Sequence, residues 1–161
     1  MSNVLAWLET SALGHAMRET GPWTYGLVNL GHIVGIAALF GPVLALDLRL
    51  LGLWRQVPLG PLSDVLVPMA RAGFALAACA GVAMLSANGT EYVGNPFLLI
   101  KFPAIALALV NVAVLGRSRA WRGRHSRQLT DAESRQLAML GGVSLTCWTT
   151  ALAAGRMIGY W

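Results

Sequence analysis

FLLIKFPAIALALVNVAVLGRSRAWRGRHSR, residues 97–127, is an apolar run that turns abruptly basic. From Phe97 to Leu115 the only charged residue is Lys101, and from Arg117 to Arg127 arginine recurs at every second or third position. A helix takes about 20 apolar residues to cross a hydrocarbon core. A block of arginine directly after such a helix marks a loop kept on the cytoplasmic side. Residues 97–127 therefore predict a spanning helix and also the side on which it ends.

Three more runs of the same kind flank this one. The expected spans are about 25–53, 65–85, 97–115 and 137–158, within a single domain covering 1–161. Ahead of them Val4, Leu5, Leu8, Ala12 and Leu13 recur at helical spacing, which predicts an amphipathic helix over about 3–18 lying at the membrane interface. The connections carry the matching punctuation. Pro58 and Pro61 bracket a turn, with Ser63 and Asp64 placed to cap the second span. Asn88-Gly89-Thr90 closes that span, and Asn95-Pro96 opens the third with proline in its first turn. Thr130-Asp131-Ala132-Glu133 has the pattern of a capping box for the fourth. The expected fold class is all-α, an integral membrane four-helix bundle with an N-terminal amphipathic interfacial helix.

Composition agrees. Of the 161 residues 56% are hydrophobic and 12% charged, where a soluble domain carries about 25% charged residues. The net charge of +5 is concentrated between Arg117 and Arg135 rather than spread over a polar face, which argues against nucleic acid as a partner. Cys79 and Cys147 both sit inside apolar runs, with neither metal-ligand spacing nor a disulfide framework. The first twenty residues lack a basic n-region and so do not read as a cleavable signal peptide. Arg49, Arg55, Arg117, Arg119, Arg122, Arg124, Arg127 and Arg135 fall in two connections on one side, against Arg18, Lys101 and Arg156 on the other. That asymmetry predicts a multi-pass protein of a bacterial inner membrane with both termini on the outer, periplasmic side. The expected partners are the bilayer itself, anionic lipid at Arg117–Arg135, and a second copy or a larger complex packed on glycine faces such as Gly31 and Gly35.

Ionisable groups inside a span are expensive and need a partner or a task. His32, flanked by Gly31 and Gly35, reads either as an imidazole hydrogen-bonded across helices or as a haem or copper ligand. Lys101 and Arg156 lie near the ends of their spans on the His32 side. Each reads as a snorkelling cation or, with His32 and Glu91, as part of a pocket for an anionic group. Met84 and Met157 stand level with His32 and with it form a set suited to copper(I), or else they fill gaps in the core. Asn111 predicts an interhelical hydrogen bond, and Asp47 and Arg71 predict a structural ion pair. The chain holds no Gly-rich phosphate loop, no HExxH, no CxxC and no Gly-x-Ser-x-Gly elbow.

Several stretches together, Trp7-Leu8-Glu9, Leu30-Gly31-His32-Ile33-Val34-Gly35, Leu46-Asp47-Leu48-Arg49-Leu50-Leu51-Gly52, Arg71-Ala72-Gly73-Phe74, Asn95-Pro96 with Lys101, and Ala154-Gly155-Arg156 with Ile158 and Tyr160, resemble a group of small bacterial four-helix membrane proteins, a domain of unknown function. The resemblance covers nearly the whole chain and implies no activity. A histidine in the first span and a lysine in the third are also distantly similar to the copper-resistance protein D and membrane protoporphyrinogen oxidase group. That likeness implies handling of b-haem or porphyrin, with His32 and Lys101 at the matching positions. This chain departs from the group where a further histidine is expected in the third span, since the candidate positions hold Asn111 and Gly116.

Three functions follow as expectations. The first is a redox or cofactor-handling subunit holding b-haem, porphyrin or quinone near the outer leaflet. His32 is its ligand, Lys101 and Arg156 are anion partners, and Trp148 is a stacking wall. The second is a non-catalytic accessory or self-assembling subunit, and the third is copper handling by His32, Met84 and Met157.

Overall fold

The computed structural model describes residues 2–126 and 129–161. Every regular element among them is helical: α1 Ser2–Glu9, α2 Ala12–Glu19, α3 Pro22–Leu50, α4 Leu59–Ala87, α5 Pro96–Arg117, α6 Arg119–Arg122 and α7 Asp131–Met157, with short 3-10 turns at Gly89–Tyr92 and Ile158–Tyr160. Four of the helices, α3, α4, α5 and α7, are long and apolar enough to cross a membrane. Pro42, Pro68 and Pro103 lie inside these helices without ending them, as spanning helices tolerate when neighbours satisfy the freed carbonyls. The chain divides into two compact units, Met1–Leu39 with Ala70–Asn95, and Phe40–Met69 with Pro96–Trp161.

In the first unit the upper part of α3 meets α4 backbone to backbone. A Cβ placed on Gly35 would stand 2.5 Å from the Ala77 nitrogen, and one on Gly73 would stand 2.8 Å from the Gly35 oxygen. Gly73 and Ala77 are four apart on one face of α4, the small-xxx-small spacing that allows spanning helices to approach closely. Gly35, which the sequence offers equally for self-association, is buried in this contact.

The segment 3–18, expected as one amphipathic helix, forms two. The Thr10 hydroxyl turns back to the Ala6 and Trp7 carbonyls and ends α1. Ser11 then caps α2 by accepting from the Gly14 N–H at 3.3 Å. Side-chain oxygens that compete for the backbone in this way favour helix ends over helix interiors. The pair docks on the end of α4. Arg18 donates to the Ser86 and Ala87 carbonyls at 3.3 and 3.1 Å and to the Glu9 carbonyl at 2.9 Å. Glu9 accepts from the Thr90 N–H at 2.7 Å, and Leu5 is buried beside Gly89.

In the second unit α5 and α7 pack along their length. Ala104, Ala108, Asn111 and Leu115 of α5 and Leu137, Gly141, Ser144, Trp148 and Ala151 of α7 are buried, with Gly141 against Leu50 and the Asp47 carbonyl of α3. Spacings alternating between three and four keep one seam turned toward the partner helix. Leu46, Leu50, Leu59, Leu115, Ala120 and Leu137 close a core at the arginine-rich end. The capping box of α7 forms as its sequence predicts, with Thr130 and Glu133 exchanging hydrogen bonds. Ser63 and Asp64 do not cap α4. That helix already begins at Leu59, so the Ser63 hydroxyl donates to the Gly60 carbonyl at 2.7 Å and Asp64 is free to face the chain after α6.

The glycine contact supplies a test. Gly73→Ala should destabilise the protein by about 1–3 kcal/mol through overpacking, seen as a lower melting midpoint in detergent. Gly116→Ala, where an added Cβ meets nothing within 4 Å, should leave the midpoint unchanged or raise it.

Candidate functional site

His32 lies in the first unit, half-buried, with Nδ1 2.8 Å from the Ala77 carbonyl oxygen. A carbonyl can only accept, so Nδ1 carries a proton in this contact. Gly81, one turn beyond Ala77 on α4, faces the same imidazole; a Cβ there would come within 3.1 Å of Cε1. Histidines that bind metals are oriented by this kind of second hydrogen bond, which also makes the other nitrogen more basic. Met84 follows on α4 in the same unit, half-buried. His32 thus has an oriented ring and, in Gly81, a neighbour without a side chain.

The other predicted residues belong to the second unit. Lys101 crosses the face of Gly155, where a Cβ would be 3.3 Å from Nζ. Arg156 is exposed and turns the other way, donating to the Tyr160 hydroxyl with its guanidinium 4.6 Å from the Tyr160 ring centre. Trp148 is buried in the α7 seam and Met157 is exposed. Lys101 and Arg156 therefore flank one position of α7 and diverge from it. Glu91 is exposed in the first unit. The structure thus joins His32 to Ala77 and Gly81, and Lys101 to Gly155.

Asp47 and Arg71 also fall in different units, Asp47 only 3% exposed and Arg71 on the surface. Asn111 makes the predicted interhelical bond, donating to the Leu140 carbonyl at 3.0 Å. Among the described residues no three His, Cys, Asp or Glu side chains gather as a metal site. A shallow apolar groove on α7, lined by Met139, Gly142, Val143, Thr146 and Cys147, contains none of the predicted residues.

Two polar constellations lie outside the sequence reading. Arg124, from the segment assigned to lipid, donates to Ser63 Oγ at 2.8 Å and to the Trp121 carbonyl, and stacks 4.4 Å from the Trp121 ring centre. It shares Asp64 with His125, whose Nε2 is 3.3 Å from the carboxylate. Arg127 lies outside the described residues, while Arg117, Arg119, Arg122 and Arg135 are exposed. The second constellation is the Glu9–Arg18–Thr90 clasp. The only signal for either was an acid and an arginine in segments distant in sequence, without periodicity to pair them.

These features define an all-α, multi-pass membrane protein whose spans carry isolated polar residues. The chain belongs to the family of unknown function DUF6644, whose model matches residues 4–161. No curated protein and no solved structure matches it.

Two groups outside the spans have shifted acidities. Burial, assisted by Tyr25 and Glu91, raises the Tyr92 phenol above its ordinary value. The Thr90 N–H, and more weakly Arg18, holds Glu9 below the 4.5 of a free glutamate. A depressed carboxyl stabilises the fold above its unfolded value and loses that contribution as pH falls through the folded one. Hydrogen exchange at the Thr90 amide should therefore be slow at neutral pH and accelerate, beyond its intrinsic rate, once the pH drops below 4.5. Glu9→Gln should remove that acid-induced step.

Proposed function

We propose that this protein is a small cofactor-handling subunit that holds a b-type haem in the first unit, with His32 as axial ligand. The observation that carries the reading is the Nδ1–H bond to the Ala77 carbonyl, the kind of second hydrogen bond that orients a ligand histidine. Gly81 keeps side-chain bulk away from the imidazole. Bound haem would supply one-electron chemistry. The residues of this chain would supply the ligand, its orientation and an apolar surround that excludes water. His15 is exposed on α2 and His125 is engaged by Asp64 in the other unit, so the first unit offers one histidine from within a span. The reading rests on His32 alone and does not draw on Lys101, Trp148 or Arg156.

A second reading is favoured by the same bond seen as a staple. At the Gly35–Gly73 crossing His32 ties α3 to α4 without any cofactor, as an accessory or self-assembling subunit would require. Absorption spectra of the purified chain supplied with haem separate the two. The haem reading expects a Soret band and sharp α and β bands on reduction, all lost in His32→Ala. A featureless wild-type spectrum, with His32→Ala merely melting earlier, would select the staple. Copper bound in place of haem and released by His32→Ala, Met84→Leu or Met157→Leu would select copper handling.

We also propose a bacterial inner-membrane location, with the Arg49–Arg55 and Arg117–Arg135 connections cytoplasmic and the four exposed arginines of the latter against anionic lipid. Alkaline phosphatase fused after Trp161 should be active in cells, and fused after Ser126 it should be inactive. The reverse pattern would invert the topology.

A further inference from the structure

Among the polar residues of the spans, Asp47 stands apart. It is 3% exposed, and among the described residues nothing hydrogen-bonds its Oδ2. The backbone at Asp47 lies against Gly141 of α7, where a Cβ would be 3.2 Å from the Asp47 carbonyl oxygen. Ser144, one turn further along α7 and itself buried, is the hydroxyl-bearing neighbour of the carboxyl. The side chain is followed by the apolar cluster of Leu46, Leu50, Leu115 and Leu137.

No cation of the second unit is directed at it. Arg49, next on α3, donates to the Val57 and Arg55 carbonyls at 2.8 and 3.1 Å. The part of α4 in this unit carries only Asp64, which is held by Arg124 and His125. Between Lys101 and Arg117 on α5, and between Arg135 and Arg156 on α7, there is no charged residue. Arg117 donates to the Ala113 carbonyl of its own helix. Asn111, the other amide of the seam, gives its Nδ2–H to Leu140.

An ionised carboxylate taken from water into such surroundings loses far more hydration than a neutral acid, and no cation of the second unit is directed at it to replace that hydration. A carboxylic acid, by contrast, is a donor and an acceptor at once and suits a site with a single hydroxyl neighbour. We propose that Asp47 is a proton-binding site, a single carboxylic acid held neutral inside the α3 span and hydrogen-bonded to Ser144. Its ligand is the proton. No second acid follows it through α3, α5 or the membrane part of α7, so it is a place where a proton is stored and not one step of a conducting chain.

Infrared spectra of the full chain in lipid, taken at neutral pH where exposed carboxyl groups are ionised, test this directly. The wild type should show the carbonyl stretch of a protonated carboxylic acid, Asp47→Asn should remove it, and Ser144→Ala should move it to higher frequency by deleting its hydrogen bond. Should Asp47→Asn fail to fold, the wild-type minus Ser144→Ala difference decides alone. A wild-type spectrum without that band overturns the proposal, and so does a band indifferent to Ser144→Ala. A band appearing only in Arg71→Gln would show that Asp47 is an anion paired with Arg71.

Discussion

The contact on which the first unit depends is one where side chains are missing. At Gly35, Gly73 and Ala77 the backbones of α3 and α4 touch, and a hydrocarbon solvent provides no hydrophobic drive to hold two apolar helices together. Close approach and polar bonds must do so. The small residues permit dispersion contact along the crossing, and His32 adds one hydrogen bond from a side chain to the facing backbone. Any side chain added at Gly35 or Gly73 pushes the helices apart and strains that bond, so packing and the polar site share one geometric condition. In the second unit the same logic recurs, with Ala104 and Ala108 buried on α5, Gly141 against the backbone of α3 and Asn111 of α5 donating to a backbone carbonyl of α7.

Helix ends raise the complementary problem, because the last carbonyls of a helix have no partner within it. Arginine solves it repeatedly here. Arg18 caps α4 from a different helix, Arg49 gathers the carbonyls of the loop that follows α3, and Arg124 reaches the Trp121 carbonyl while holding Ser63 and Asp64. Fork-shaped guanidinium groups are suited to bridging several oxygens. A net charge of +5 therefore overstates what is offered to lipid headgroups, since part of the basic segment is committed to internal bonds. Docking of α1 and α2 has the same origin. It comes from carbonyls needing donors, and the apolar stripe of residues 3–18 is only part of the reason they fold where they do.

Signals confined to one segment were legible in the sequence. Length and apolarity mark α3, α4, α5 and α7 as spans, Pro96 marks the start of α5, and the Thr130–Glu133 pair marks the start of α7. Each is a statement about neighbours in the chain. What escaped involves either competition between local motifs or partners far apart in sequence. Thr10 and Ser11 split a continuous apolar period because their hydroxyls bond the nearby backbone, and Pro58 to Pro61 admitted a helix start ahead of Ser63. The candidate site divides in the same way. His32, Lys101 and Asp47 stand out from the sequence as polar residues in apolar runs, but their surroundings are a backbone carbonyl, a glycine and a serine hydroxyl. None of those residue types announces a site, so the sequence identifies the polar half of each arrangement and leaves its complement unmarked.

The three embedded polar groups also differ in what their surroundings allow. Asn111 has its amide donor taken by Leu140, and a neutral amide in that position does nothing but join α5 to α7. His32 has one nitrogen committed to the Ala77 carbonyl; that bond stabilises the helix crossing, and under the proposed haem reading it would also orient the ring for a ligand. Asp47 has a carboxyl oxygen without a hydrogen bond among the described residues, and hydrophobic packing around it cannot compensate for an exposed charge that water no longer reaches. A purely structural role would be served as well by asparagine, which has the same shape and no ionised form. An acid at this position adds the capacity to exchange a proton, a property that helix packing alone does not require.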